Sequence, residues 1–151
     1  MKMDYFSTAS DTWEQGRLKV AFRNFLRAAK QGNVSAQLNL AHFYAEGIWV
    51  RRNQQKSRFW LESAASLGYG PAARNIGVMY RNEGNFSSAE RWFKRALQLG
   101  DSEAKLDLGK LFLKSAWMRN EAKKLFAEAL SEGMVSEDSH EELIDLMTKL
   151  E

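Results

Sequence analysis

The sequence predicts an all-α fold: a right-handed α-solenoid of about four helix–turn–helix repeats, followed by a C-terminal capping helix. Three observations carry this. Four glycine-terminated segments align with one another, and small and large apolar residues recur inside them at offsets that share one helical face. No stretch alternates apolar and polar residues in the manner of a strand, and Ala, Leu, Glu, Lys, Arg and Gln dominate the composition.

The aligned segments run from Phe25 to Gly32, Leu61 to Gly68, Phe93 to Gly100 and Phe126 to Gly133, so the glycines are spaced by 36, 32 and 33 residues. Four residues before each glycine stands Ala28, Ala64, Ala96 or Ala129, and seven before it stands Phe25, Leu61, Phe93 or Phe126. Eleven before it the residue is small again: Ala21, Ser57, Ala89 and Ala122. These offsets put small and large residues on one face, so each segment is read as the second helix of a hairpin, ended by a left-handed glycine.

The first helices follow the glycines. Ala36, Ala72 and Ala104 lead into Leu40-Ala41 with Tyr44, Ile76-Gly77 with Tyr80, and Leu108-Gly109 with Phe112. Pro71 sits where a helix begins, and Asn53, Asn85 and Asn120 are placed to cap the second helices. The repeats span about 4–32, 36–68, 72–100 and 104–133. The first is degenerate, with Gly16 and Ala21 spaced like Gly84 and Ala89 but Thr12 in place of Tyr80. Residues 137–150 put Leu143, Ile144, Met147 and Leu150 on one side and acids on the other, as a capping helix needs. One proline and no long Ser/Gly tract leave no linker, so residues 1–151 read as one domain.

Gly77, Tyr80, Ala89, Phe93 and Ala96 match the spacing of the tetratricopeptide consensus, and residues 36–68 resemble a Sel1-like repeat with its longer inter-helix loop. Gly47-Ile48-Trp49-Val50-Arg51-Arg52-Asn53 is similar to that family's G-x-G-V-x-x-D loop, departing from it at Trp49 and at Asn53. The resemblance implies a protein–protein interaction module, an adaptor or assembly platform. A short chain of this kind also suits a small inhibitor of the immunity-protein type.

Little else points to chemistry. The chain has no cysteine, and its two histidines, His42 and His140, are far apart in sequence. No metalloprotease, phosphate-loop, nucleophile-elbow or dinucleotide motif occurs, and Gly68-Tyr69-Gly70 lacks a preceding strand. We therefore expect no catalysis, no cofactor, no metal and no small-molecule substrate. Met1 to Ser7 holds no apolar signal core and no window reaches membrane-span length, which places the protein in the cytoplasm with no membrane partner. A net charge of +3 is a weak bias that favours an acidic partner over nucleic acid.

In a stacked solenoid the first helices line the inner wall. Helical spacing turns Asn39 and His42 of the second repeat outward from the core, with Arg74, Asn75, Val78 and Arg81 of the third and Lys110 and Lys114 of the fourth. Arginine forks, lysine charges and asparagine amides suit a protein or peptide partner with acidic character. The alternative for the same residues is an ordinary solvated groove. Trp13, Trp49 and Trp117 are either interface anchors or covers for the core beneath them. Arg51, Arg52, Lys56 and Arg58 form a local basic cluster, read as a solvated surface or as part of a single-stranded RNA site. RNA is the alternative partner class, though the repeats are few and the charge balanced.

Overall fold

The computed structural model describes residues 4–114, 118–133 and 136–149. Trp117 and Leu150 lie outside the described residues. Within them every regular element is a helix: α1 (Tyr5–Glu14), α2 (Leu18–Lys30), α3 (Val34–Glu46), α4 (Gln54–Ser66), α5 (Gly70–Asn82), α6 (Phe86–Gln98), α7 (Ala104–Phe112), α8 (Arg119–Glu132) and α9 (Glu137–Thr148). The fold is an all-α helical-repeat solenoid. No described helix is long and apolar enough to cross a membrane. The chain divides into two compact units, Met1–Ala72 and Ala73–Glu151.

The first unit holds two hairpins. Ala9, Ala21 and Ala36 are fully buried, which lets neighbouring helices approach closely while Phe25, Leu40 and Phe43 fill the space between them. Trp13 packs edge-on against Phe43 at 4.6 Å between ring centroids, and Phe22 meets the same ring at 5.4 Å. Helix α1 forms despite its weak match to the repeat. Asp4 caps it by accepting from the backbone of Phe6 and Ser7, and the buried Thr12 hydroxyl is satisfied by the Thr8 and Ala9 carbonyls at 2.8 and 3.0 Å.

In the second unit the core runs through Ala89, Phe93, Leu106, Leu108, Leu111, Phe112, Ala122, Phe126, Ala129 and Leu143. Its tightest points are two glycines. A Cβ on Gly77 would lie 2.6 Å from the Phe93 ring, and one on Gly109 would lie 2.2 Å from the Phe126 ring. Small residues at these positions are therefore required by contact between the helices of a hairpin.

Two sequence expectations need correcting. Asn53 and Asn85 cap α4 and α6, accepting from Lys56 N at 2.9 Å and Ser88 N at 3.1 Å, but Asn120 caps nothing. Helix α8 begins at Arg119, so Asn120 lies inside its first turn and Met118 takes the cap position without a side-chain bond. In α9, Leu143 is fully buried with Leu146 and Met147 packed beside it, whereas Ile144 is 50% exposed. One residue of helix is about 100° of rotation, so a helix seated on Leu143 turns Ile144 to the rim.

Helix α9 is also held by polar contacts. Glu103 accepts from Ser136 N at 2.6 Å and from the Ser139 hydroxyl at 2.7 Å. Burial pushes the Glu103 carboxyl up. The backbone hydrogen bond from Ser136, the Ser139 and Ser136 hydroxyls and the charge of Arg74 outweigh that and hold it below its ordinary value. A carboxylate depressed in the folded state stabilises the fold above its unfolded pKa, and that contribution is lost as pH falls through the lower folded value. Helix α9 is therefore expected to loosen as the pH drops below the ordinary glutamate range. Hydrogen exchange of the α9 amides, corrected for intrinsic rates, measures this. Glu103→Gln should exchange faster at neutral pH and lose most of the acid response; an unchanged response would show that the contact contributes nothing.

Candidate functional site

The residues expected to face a partner fall in both units, and each unit offers a different surface. In the first, α3 leaves Asn39 half-buried and His42 exposed. His42 lies beside Trp13, with ring centroids 6.3 Å apart, and Trp13 is itself set against Phe25 and Phe43. Trp13 thus covers the core, which was one of its two readings.

The loop from α3 to α4 is tightly made. Ile48 N donates to Phe43 O at 3.0 Å, Val50 N to Ile48 O at 2.7 Å and Asn53 N to Tyr44 O at 2.8 Å. Gly47 is left-handed at φ 73°, and so is Trp49 at φ 57°, the one non-glycine residue with positive φ among those described. A bulky side chain there stores about 1–3 kcal/mol of strain. Trp49 thus adopts a backbone conformation natural to glycine, which is the residue it replaces in the loop pattern. Its indole is 46% exposed and lies against Phe22 at 5.2 Å. Beside it opens a pocket of about 500 Å³ lined by Phe22, Tyr44, Val50, Arg51, Arg52, Asn53 and Lys56.

In the second unit the expected basic strip is present, but its charges are already matched. Arg74 Nε is 2.7 Å from Asp101 Oδ2, and Arg81 Nη1 is 2.7 Å from Asp107 Oδ1. Arg74 Nη1 reaches the other Asp107 oxygen at 3.9 Å. The Asp101 and Asp107 side chains are only 5% and 14% exposed, so these pairs are partly desolvated and tie α5 to α7 and to the turn before it. Lys110 pairs with Glu142 at 2.5 Å, fastening α7 to α9, and Lys114 lies 4.5 Å over the Phe86 ring. Val78 packs partly against the core, and Asn75 is exposed. The sequence reading weighed the cations of this strip and paired none of them with Asp101, Asp107 or Glu142. The signal was available in Asp107, which stands on the same helix as Lys110 and three residues before it.

Among the described residues no group of three or more His, Asp or Glu is placed to hold a metal ion. What the geometry offers is surface: a charge-matched polar wall in one unit, and an aromatic and cationic loop pocket in the other.

The Sel1 repeat family profile matches residues 18–33, 34–69 and 70–101. A Sel1 repeat protein from Oxalobacter formigenes is 27% identical with a TM-score of 0.63, over 82% of this chain and 96% of that one. The protective antigen c5321 of uropathogenic Escherichia coli, which displays an SLR fold, is 26% identical with a TM-score of 0.68. That match covers 86% of this chain but 30% of the antigen, so the chain spans less than a third of its length. No curated protein sequence matches the chain significantly. With more than half of its residues matched by the profile and its hairpins shared with solved relatives, the chain belongs to the Sel1 repeat family, whose members are generally protein–protein interaction modules and typically non-catalytic scaffolds.

Proposed function

We propose that this protein is a non-catalytic interaction module that holds a partner protein, acting as an adaptor or as a small inhibitor. The observation that carries the reading is the membership of its hairpins in the Sel1 repeat family. In this reading Asn39 and His42 of the first unit meet the partner, as do Arg74, Asn75, Val78, Arg81, Lys110 and Lys114 of the second. Arg74, Arg81 and Lys110 act there as oriented, charge-matched donors rather than as bare cations. A single-stranded RNA partner fits less well, because phosphates would have to displace Asp101, Asp107 and Glu142 from these side chains.

The test is affinity capture from native lysate with mass spectrometry, followed by titration of the recovered partner against surface variants. Arg81→Glu and Lys110→Glu are unsuitable, since each would set a carboxylate against Asp107 or Glu142 and disturb the fold. His42→Glu and Asn75→Glu change exposed positions. Each is expected to weaken the partner about tenfold, or about 1.4 kcal/mol, with an unchanged melting midpoint. Full affinity in both variants would remove the first-helix faces from the interface, and no saturable partner at all would refute the reading.

A further inference from the structure

We propose that the pocket beside the α3–α4 loop of the first unit docks an acidic peptide segment with a large apolar residue set between its carboxylates. The proposal rests on the reading above, that the protein holds a protein partner, and gives that partner a contact the repeat pattern does not mark. Phe22 and Tyr44 form the pocket's apolar wall, and Arg51, Arg52 and Lys56 supply its charge. No carboxylate lines the pocket.

The contrast with the second unit decides the argument. There Arg74, Arg81 and Lys110 each carry a carboxylate of their own chain. Among the described residues Arg51 and Arg52 form no ion pair. Arg52 has a neutral neighbour, the Gln54 amide, whose oxygen accepts from its Nε at 3.2 Å once the amide is turned to suit. Lys56 Nζ stands 5.3 Å over the Tyr44 ring. Asn53 caps α4 with an amide, so the cap brings no negative charge to offset the three cations. Like charges gathered without compensation repel one another, and an anionic ligand relieves that repulsion.

The pocket is also ordered in advance. Three backbone hydrogen bonds fix the loop, so little conformational freedom remains to be lost on binding. Trp49 keeps its indole exposed against Phe22, which lines the pocket, although its backbone is strained there. Tryptophan and arginine are among the residue types that dominate binding energy at protein interfaces.

The cations are spread along the loop and the first turn of α4, beside an apolar wall. That distribution suits several carboxylates on an extended chain, each able to take an arginine fork, with an apolar side chain between them. One phosphate would engage only part of it. An RNA strand would need successive stacking platforms along a cationic track, and this loop presents a single exposed indole.

The experiment uses the blocked peptide Glu-Asp-Phe-Glu-Asp, titrated by calorimetry and by tryptophan fluorescence at low and raised salt. Wild type is expected to bind with a fluorescence change. Arg51→Glu with Arg52→Glu should weaken binding at least tenfold at an unchanged melting midpoint. Trp49→Gly should weaken binding and remove most of the fluorescence change, while Phe replaced by Ala in the peptide should bind less tightly. The pair Lys94→Glu with Lys123→Glu makes the same change in net charge elsewhere and should bind as wild type. Equal weakening by both pairs would reduce the effect to diffuse attraction and overturn the proposal. Tighter binding of oligo-uridylate or of inorganic phosphate by the same residues would overturn it too. If a captured partner binds the Arg51→Glu, Arg52→Glu protein as it binds wild type, this pocket is excluded while the interaction reading stands. If no partner binds wild type, that reading fails, and the peptide titration still judges the pocket.

Discussion

Leucine in place of Gly109 is expected to destabilise the protein by about 3 kcal/mol or more, the upper end of what overpacking a core costs. A Cβ alone would lie 2.2 Å from the Phe126 ring, a separation real Cβ contacts do not reach. Phe126 is fully buried and cannot swing aside, so α7 and α8 must move apart. For a domain of this size the melting midpoint should fall by roughly 6–12 °C. Gly109→Ala should show a smaller drop of the same sign, and Gly77→Leu should resemble Gly109→Leu, because a Cβ there meets Phe93 at 2.6 Å. Thermal melts followed by circular dichroism measure all three. A Gly109→Leu midpoint within about a degree of wild type would refute the assigned hairpin register.

The second large effect is expected from removing α9. Leu143 is fully buried among Leu108, Leu111, Phe112 and Phe126 of the same cluster, and Leu146 and Met147 pack beside it. A chain cut after Ser136 loses this cover together with the Lys110–Glu142 and Glu103–Ser139 contacts. Apolar surface left open on a terminal repeat is a self-association hazard. The shortened protein should elute as oligomers in size-exclusion chromatography with light scattering, and it should melt several degrees lower. Leu143→Ala keeps the helix but leaves a cavity, at a cost of about 2–5 kcal/mol if the site cannot collapse. A monomeric, equally stable chain ending at Ser136 would show that α9 is not a cap.

The helices were legible because their signals are local and periodic. Ala89, Phe93 and Ala96 sit at offsets that share a helical face, and Gly77 answers Phe93 within the same hairpin, so short-range spacing contains both partners of the contact. The polar surface was less legible. Arg74 meets Asp101 and Arg81 meets Asp107 across 27 and 26 residues, and whether they touch depends on the offset between stacked helices and on long side-chain rotamers. Charge counting sees cations there, while the folded chain holds salt bridges. Trp49 is an intermediate case. The loop pattern located it at a glycine position, but only the backbone shows that the tryptophan takes up the glycine conformation instead of rebuilding the loop.

The two glycine–phenylalanine contacts have a consequence for how such an array can lengthen. Each is encoded wholly within one hairpin: Gly77 with Phe93, Gly109 with Phe126. A duplicated hairpin spliced in after Gly100 would therefore bring its own glycine–phenylalanine contact with it. The Arg74–Asp101 and Arg81–Asp107 pairs are encoded across the junction, so the splice would part the original Arg74 and Arg81 from their acids and leave Asp101 and Asp107 to the copy's arginines. Growth by gene duplication is then limited at the polar seam. A newly inserted repeat begins life with one matched border and one mismatched border, and the first substitutions selected after the event should fall where the copy meets the original Arg74 and Arg81.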